Sequence, residues 1–545
     1  MCEDIIDPRA FAGEAPTQSD KAYGLKCRSS QAKGLRAIGI ATLVGSALFG
    51  SEPPNILFIY TDDQSTRTVS AYENAYNWVD TPRIDRLAEE GVRFTRANIG
   101  SWCMASRASI LTGLQQHAVE SMRMTGPNPM NVYDPELCQF WPSRFREQGY
   151  YTAQIGKWHT GVDSGYGRDW DHQIVWNRPK YPENAPYYYY DQLIEVDGGE
   201  PTLMEGYTTD LYTDWAVEFI EGASRGIEKP WFLWLCYGAV HAPFTPAERH
   251  LDDYAAVDEP RIRDVYPPRE GKPAYARDMA FWEEGEDGQP VEKARLGKVP
   301  VGMQDLPGRP LKDWIRQYQQ GVLAIDEGVG RLLDALRETG QYEDTLIVFT
   351  SDQGFAWGQH GMKSKVAPYH ATIAAPLIVR VPDSLAEGNR SRGTVVTEPV
   401  TAVDLPVTFF SIAGRSLPWE MHGHDLTPLL RDPGAMWGKP SLLTHTAKQY
   451  GSDTNTIPPK GDPRLYHGPG IPWYVLMSQG RYKYIRTLVE GEPEELYDTI
   501  SDPEELRNLA FDPGYRELLK AYRSTAISEL KRTEAGFADS MPRVD

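Results

Sequence analysis

The chain has few cysteines, no excess of basic residues and no long apolar segment. Five cysteines among 545 residues are too few for a fold held together by disulfides. The formal net charge of −20 at pH 7 argues against a nucleic-acid partner, because such proteins usually present a basic face. An anionic small-molecule substrate stays compatible with this charge, since surface charges more than roughly 10 Å apart are largely screened at physiological salt.

One short apolar run lies near the start of the sequence, from Ala37 to Gly50. It is shorter than the roughly 20 residues that a membrane-spanning helix needs. Lys33 and Arg36 precede it, and the small residues at positions 45–47 suit cleavage by a signal peptidase. We therefore predict a secretory signal, an exported protein that is periplasmic or secreted, and no integral membrane span beyond this segment.

Short, mostly apolar runs alternate with segments of helical pattern. Continuous apolar runs are typical of strands buried on both faces, as in a parallel sheet. The predicted strands are Asn55 to Tyr60, Tyr151 to Ile155, Trp231 to Tyr237, Thr345 to Thr350 and Pro376 to Val381. Helices are predicted over residues 81–90, with Thr81 as N-cap, and from Trp314 to Glu338. This alternation predicts an α/β fold, a large mixed, mostly parallel sheet sandwiched by helices.

The character of the sequence changes near residue 440. Trp473 to Met477 and Tyr482 to Ile485 flank a short polar turn, which predicts a β-hairpin, and Glu495 to Asp498 is predicted as an edge strand. Residues 513–533 have the pattern of a polar amphipathic helix. We therefore divide the chain into an N-terminal extension (residues 1–50), an α/β domain (residues 51–435) and a smaller C-terminal α+β subdomain (residues 436–545).

Polar side chains follow four of the predicted strands at their carboxyl ends, where ligands collect in open α/β sheets. They are Asp62 and Asp63, Lys157 and His159, His241, and Asp352 and Gln353. The oxygen-bearing set, formed by the three aspartates and Gln353, favours a hard divalent cation such as calcium or magnesium. A lysine supplies a point charge for an anion, and a histidine moves protons near neutral pH.

The stretch from Cys103 to Gly113 is the most informative of the chain. A cysteine, a serine and an arginine lie within five residues, at Cys103, Ser106 and Arg107. The spacing predicts a reactive side chain at the start of a short helix that ends near Gly113. Helix N-termini attract anions, so a nucleophile there with an arginine close by suits an anionic substrate.

Together these segments resemble the type I sulfatases of the alkaline-phosphatase-like superfamily. Residues 103–113 resemble the family signature Cys-x-Pro/Ala-Ser-Arg-x-x-x-Leu-Thr-Gly, with Ala105 where most members have proline. The segment Gly156-Lys157-Trp158-His159 and His241 resemble family active-site segments, and Lys365 resembles the second active-site lysine. Asp62-Asp63 and Asp352-Gln353 resemble the two residue pairs of the family metal site, and Gln353 stands where the family has asparagine or histidine.

The resemblance implies a sulfuric ester hydrolase whose Cys103 is converted after translation to formylglycine. A formylglycine-generating or radical-type maturation enzyme is the implied partner, and a sulfated small molecule or glycan is the expected substrate. One divalent cation, calcium as the first choice and magnesium as the alternative, is expected at a site formed by Asp62, Asp63, Cys103, Asp352 and Gln353. The expected catalytic residues are Cys103, Arg107, Lys157, His159, His241 and Lys365.

The family mechanism gives these side chains separate roles. A hydrated formylglycine attacks the sulfur of the ester, and Arg107, Lys157 and Lys365 balance the charge on the sulfuryl oxygens. His241, with Lys365, protonates the leaving alcohol. His159 then removes a proton from the second hydroxyl of the hydrate, which expels sulfate and regenerates the aldehyde.

Other interpretations stay open at this point. A phosphoester or phosphonate hydrolase uses the same kind of metal site, with Cys103 as precursor or as direct nucleophile. A phosphoethanolamine transferase of the same superfamily typically has a threonine nucleophile and several membrane spans, and this sequence has neither. A non-catalytic binder of sulfated glycans is a further alternative. Residues 187–190, four consecutive tyrosines, either line a sugar-binding cleft or pack internally.

Overall fold

A ten-stranded mixed sheet forms the centre of the computed structural model. The structure describes residues 53–124, 132–184, 186–222, 229–294, 306–386 and 391–543, so the predicted signal segment lies outside the described residues. In chain order the strands are β1 (Asn55–Thr61), β2 (Val92–Phe94), β3 (Tyr151–Trp158), β4 (His172–Asn177), β5 (Tyr190–Val196), β6 (Thr202–Tyr207), β7 (Trp231–Cys236), β8 (Thr345–Ser351), β9 (Leu377–Arg380) and β10 (Thr394–Val396).

The centre of this sheet is parallel and its margins are mixed. Across the sheet the strand order is β10-β2-β9-β8-β1-β7-β3-β4-β5-β6. Strands β8, β1, β7, β3 and β4 are parallel neighbours, whereas β9, β5 and β6 pair antiparallel with the strands beside them. The five predicted strands are all present, and the predicted mixed, mostly parallel sheet is confirmed.

Helices cover both faces of the sheet. The described helices of eight residues or more are α1 (Pro82–Glu89), α2 (Cys103–Thr112), α3 (Thr208–Ile220), α4 (Leu311–Glu338), α5 (Asp404–Ile412) and α6 (Arg516–Arg532). Alternate residues of β1 divide between two core clusters, with Phe58 in one beside α2 and α5, and Leu57 in the other beside α1, α3 and α4. A continuous apolar run therefore forms a strand that is buried on both faces.

Shorter elements complete the chain. The short helices are Pro142–Glu147, Ala274–Arg277, His370–Ile373 and Thr427–Arg431. The short strand pairs are Ala97–Asn98 with Val400–Thr401, Met122–Arg123 with Val132–Tyr133, Trp282–Glu284 with Pro290–Glu292, Ala356–Trp357 with Lys363–Ser364, and Tyr466–His467 with Ile471–Pro472. Among the described residues, no helix is both long enough and apolar enough to cross a membrane.

The C-terminal region forms a second, antiparallel sheet. Its strands are β11 (Ser441–His445), β12 (Tyr474–Gln479), β13 (Tyr482–Thr487) and β14 (Glu494–Asp498), paired in that order. The predicted hairpin and edge strand are present, and α6 buries Leu519, Ala526 and Leu530 in a core cluster with this sheet. The division of the chain at residue 436 stays a prediction.

At the start of α1, a residue that is distant in the sequence caps the helix in place of the predicted N-cap side chain. Thr81 is the N-cap residue, as predicted, but its side chain does not cap the helix. The carboxylate of Asp326, which lies on α4, accepts hydrogen bonds from the backbone N–H groups of Arg83 (3.0 Å) and Ile84 (2.8 Å). A partner more than 200 residues away thus satisfies the first turn, and it holds α1 against α4.

His117 connects the turn after α2 to the C-terminal region. Its Nδ1 lies 2.8 Å from Oγ1 of Thr444, and its Nε2 lies 2.8 Å from the carbonyl oxygen of Thr533. Burial lowers the pKa of this imidazole to about 4, because a charged ring is unfavourable away from water.

This depressed pKa predicts a loss of stability in acid. The folded protein keeps His117 neutral while the unfolded chain takes up a proton below about pH 6.5, so the stabilisation is present above pH 6.5 and is lost as the pH falls towards 4. His117→Gln is expected to reduce the fall in unfolding temperature between pH 6.5 and 4, measured by differential scanning fluorimetry. His250→Gln, which removes an imidazole paired with Asp253, is the control, and an unchanged slope in His117→Gln contradicts this account.

Candidate active site

The carboxyl ends of β1 and β8 bring two pairs of polar residues together. Asp62 and Asp63 follow β1, and Asp352 and Gln353 follow the adjacent parallel strand β8. The backbone N–H of Asp63 donates to Oδ1 of Asp352 over 2.9 Å, and the backbone of Asp63 has the left-handed φ of 59°. This turn directs both aspartate side chains towards the same edge of the sheet.

Cys103 is the first residue of α2, as the sequence predicts, and it lies at this edge. Trp102 is extended, the helix begins at Cys103, and Gly113 ends it with a φ of 71°. The thiol Sγ lies 3.3 Å from Oδ1 of Asp62. Close approach of the backbone requires Gly100, because a Cβ there would lie 2.7 Å from the carbonyl oxygen of Asp352 and still closer to Ser106.

Three buried carboxylates converge on the thiol. Donor atoms of Asp62, Asp63, Asp352 and Cys103 all lie within 4.8 Å of one another, and all four residues are buried. Burial, and then the charge of Asp62, raise the pKa of Asp352 to about 8, because like charges this close repel one another. This oxygen-rich, mutually repelling set fits a hard divalent cation, which would hold all three carboxylates ionised.

Gln353 belongs to the cluster, but its amide nitrogen, and not its carbonyl oxygen, faces Asp63. Its amide nitrogen donates to Oδ1 of Asp63 and lies 3.5 Å from Sγ of Cys103, whereas its oxygen lies 3.4 Å from the hydroxyl of Ser106. Rotation of the amide by half a turn would present the carbonyl oxygen to a cation.

Each of the three carboxylates has its own cationic partner. Arg107 Nη2 lies 3.4 Å from Oδ2 of Asp352, and Lys157 Nζ contacts Oδ2 of Asp62. Lys365 Nζ lies 2.8 Å from Oδ1 of Asp63. The other nearby lysine of the sequence, Lys363, lies elsewhere in the fold, 2.8 Å from Glu292.

Lys365 also contacts the cysteine. Its Nζ lies 3.0 Å from Sγ of Cys103, so the side chain connects Asp63 to the residue that the signature marks as reactive. Burial, followed by the charges of Asp352 and Asp62, raises the pKa of the Cys103 thiol to about 12. The unmodified side chain is therefore a protonated thiol at neutral pH, which is a poor nucleophile.

His241 lies at the cluster, and His159 lies beside Arg178, whose Nη1 is 3.4 Å from its Nε2. His241 Nε2 lies 3.8 Å from Oδ2 of Asp63, and its Nδ1 lies 2.7 Å from the carbonyl oxygen of Ala242, to which it donates. Burial lowers the pKa of His241 well below its usual range, and Lys365 lowers it further. Burial also lowers the pKa of His159, with Arg178 as the next cause. Both rings are neutral at pH 7 in this arrangement.

Two residues that sequence reasoning did not assign complete the wall of the site. The ring of Tyr188 stacks on His241 with centroids 4.1 Å apart and planes 4° apart, and Lys157 Nζ lies 5.1 Å from the Tyr188 ring centroid. Arg178 follows β4, a strand that the sequence analysis did not identify. Its position after a parallel strand is the signal that would have found it.

The fold and this cluster place the protein in the alkaline phosphatase superfamily. A model of the sulfatase family matches residues 54–415, and the chain belongs to the sulfatase family. As a member it is a hydrolase of sulfate esters, so the predicted class of enzyme is confirmed.

Relatives match over nearly the whole chain. The chain is 29% identical to an N-acetylglucosamine-6-O-sulfatase of Bacteroides thetaiotaomicron, over 93% of this chain and 91% of the relative. It is 26% identical to an arylsulfatase of Clostridium perfringens, over 89% of this chain and 96% of that one. A solved structure in complex with its substrate, D-glucosamine-2-N,6-O-disulfate, superposes with a TM-score of 0.73 at 26% identity, covering 90% of this chain and 99% of that chain.

Removal of divalent cations is expected to destabilise the protein, because the three carboxylates then repel one another. EDTA should lower the unfolding temperature and calcium should restore it, since a ligand at 100 times its Kd stabilises the folded state by about 2.7 kcal/mol. Asp62→Asn should weaken calcium binding roughly tenfold or more in calorimetry. Asp163→Asn, which changes a carboxylate whose side chain is 40% exposed, is the matched control; equal calcium affinity in both variants contradicts the assignment.

Proposed function

We propose that the protein hydrolyses a sulfate ester of a sulfated carbohydrate through a formylglycine formed from Cys103. The observation that carries the proposal is the position of Cys103 at the start of α2, in contact with Asp62 (3.3 Å) and Lys365 (3.0 Å). The buried thiol itself is a poor nucleophile, which favours a converted side chain over direct attack by sulfur.

One divalent cation, with calcium preferred, is held by Asp62, Asp63 and Asp352, with residue 103 and Gln353 completing the site. When bound, it supplies positive charge that favours ionised oxygens at the reacting centre. Oxygen donors of this kind suit calcium, and the ion is proposed on their chemistry.

The side chains of the wall bind the sulfuryl group. Lys157 and Lys365 are placed to donate to its oxygens, and Arg107 neutralises Asp352 behind them. Fixed cations in a buried site stabilise the charge that develops in the transition state without reorganisation of solvent. An oxygen of the hydrated formylglycine attacks the sulfur, the bond from sulfur to the ester oxygen breaks, and the alcohol leaves.

The two histidines move the protons. His241 and Lys365, which both approach Asp63, protonate the leaving alcohol. An incoming sulfate ester would raise the pKa of His241, because an adjacent anion favours the charged ring. His159, neutral at pH 7, accepts a proton from the second hydroxyl of the hydrate. The carbon–oxygen double bond of the aldehyde then forms again as the bond to sulfate breaks.

The substrate class is inferred from the relatives. One is named an N-acetylglucosamine-6-O-sulfatase, and the solved structure contains a disulfated glucosamine. We therefore propose a sulfated amino sugar, alone or within a glycan, acted on after export and after maturation of Cys103 by a formylglycine-generating or radical-type enzyme.

Conversion of Cys103 and its role can be tested together. Mass spectrometry of the native peptide that contains residue 103 should show an aldehyde in place of the thiol. Cys103→Ser should retain attack but lack the elimination step, so it should stop after one turnover with sulfate bound to residue 103. Cys138→Ser, which alters another free cysteine, should keep full activity.

Rates of hydrolysis of a sulfate ester and of a phosphate ester distinguish a sulfatase from a phosphoester hydrolase. The mature enzyme should hydrolyse 4-nitrophenyl sulfate with a higher kcat/KM than 4-nitrophenyl phosphate. A strong preference for the phosphate, or activity of a protein whose residue 103 remains a thiol, would overturn the proposal and favour a phosphoester hydrolase.

A further inference from the structure

Arg178 carries a buried positive charge at the wall of the candidate active site. The residue is only 5% exposed. Its guanidinium carbon lies 4.6 Å from the ring centroid of Tyr188 and 5.2 Å from that of Trp176. Its Nη1 lies 3.4 Å from Nε2 of His159, and its buried Nε has no hydrogen-bond partner.

The charges of the site leave Arg178 without a counter-ion. The three carboxylates of the cluster are each paired with a different cation, namely Arg107, Lys157 and Lys365. Within the described part of the chain, Arg178 forms no ion pair with any carboxylate. Burial of an uncompensated charge is strongly unfavourable, so an anion that reached this guanidinium would be bound with a large electrostatic gain.

Arg178 shares a wall with the groups that bind the sulfate ester. The ring of Tyr188 contacts Arg178, stacks on His241 at 4.1 Å and lies 5.1 Å from Nζ of Lys157. A sugar whose sulfate ester lies between Lys157 and His241 therefore has its neighbouring substituents near this wall.

We propose that Arg178 is a specificity-determining residue that binds a second oxyanion of the substrate, a sulfate or carboxylate near the ester that is hydrolysed. The inference rests on the proposed function and narrows its substrate class to carbohydrates that carry at least two anionic groups. A guanidinium suits this role because its planar fork donates two parallel hydrogen bonds to one oxyanion. Lys157 and Lys365 already serve the carboxylates and the transferred sulfuryl group.

The test compares sugars that differ by one anionic group. N-Acetylglucosamine 6-sulfate, glucosamine 2-N,6-O-disulfate and a 6-sulfated N-acetylglucosamine joined to a hexuronate are used as competitive inhibitors of 4-nitrophenyl sulfate hydrolysis by the mature full chain. We expect one or both of the doubly charged sugars to bind about tenfold or more tightly than the monosulfate. The disulfate and hexuronate arms distinguish a sulfate from a carboxylate as the second group.

Arg178→Gln is expected to reduce that preference to less than about threefold. The preference is a ratio of inhibition constants within one variant, so a change in kcat that arises from the contact between Arg178 and His159 (3.4 Å) does not affect it. Lys180→Gln, two positions further along the chain, is the matched control. Lys180 pairs with Glu195 at 2.6 Å and its side chain is 45% exposed, so loss of its charge should leave the preference intact.

Two results would overturn the inference: a wild-type protein with no preference for a second charge, or an Arg178→Gln protein that keeps the preference. If the mature protein does not hydrolyse 4-nitrophenyl sulfate, the proposed function fails. Calorimetric binding of the same three sugars then still decides the role of Arg178, and binding of none of them counts against it.

Discussion

The whole active site depends on the mutual compensation of three buried carboxylates by three buried cations. Asp62, Asp63 and Asp352 have donor atoms within 4.8 Å of one another, an arrangement that water would normally be needed to stabilise. The fold replaces water with Arg107, Lys157 and Lys365, one for each carboxylate. Loss of any one cation would leave a buried charge uncompensated, which generally costs about 3–5 kcal/mol.

The register of the parallel strands places the carboxylates and their cationic partners next to one another. Strands β1 and β8 are in register from Asn55 and Thr345 to Thr61 and Ser351, so the residues after each strand lie side by side. Strand β3 carries Lys157 at the same edge, two strands away from β1. Cys103 comes from α2. The first turn of this helix approaches the segment that contains Asp352 closely, because Gly100 has no side chain that would clash with Ser106 and the carbonyl oxygen of Asp352. The backbone geometry of the strands and of α2, together with the ion pairs, therefore fixes the positions of the carboxylates, of Lys157 and of Cys103.

The fold was readable from the sequence wherever a segment is apolar throughout, because burial on both faces leaves a pattern that does not depend on distant partners. Strands β2, β4, β5, β6 and β10 were missed. Strand β4 is mixed in polarity, β2 and β10 are only three residues long, and β5 and β6 lie towards the sheet margin. Local signals also failed where a distant residue replaces them: Asp326, not Thr81, satisfies the first turn of α1. The motifs brought the named residues to one site, but the amide orientation of Gln353 depends on tertiary contacts that no spacing encodes. Arg178 was missed because the strand before it, β4, was not recognised.

The chain has a net charge of −20, yet the proposed substrate is an anion. The charges at the candidate active site explain how both can hold. Three cations lie against the three carboxylates and offset their charge, so the acidic character of the whole chain does not extend to this site. Arg178 adds a positive charge that has no carboxylate partner among the described residues. In a site this buried, each remaining positive charge acts with little screening, whereas the acidic surface is screened within a few water layers. A divalent ion held by the three carboxylates would keep them ionised and would leave Lys157 and Lys365 free to face an anionic substrate, so we expect the affinity for a sulfate ester to depend on occupation of the cation site.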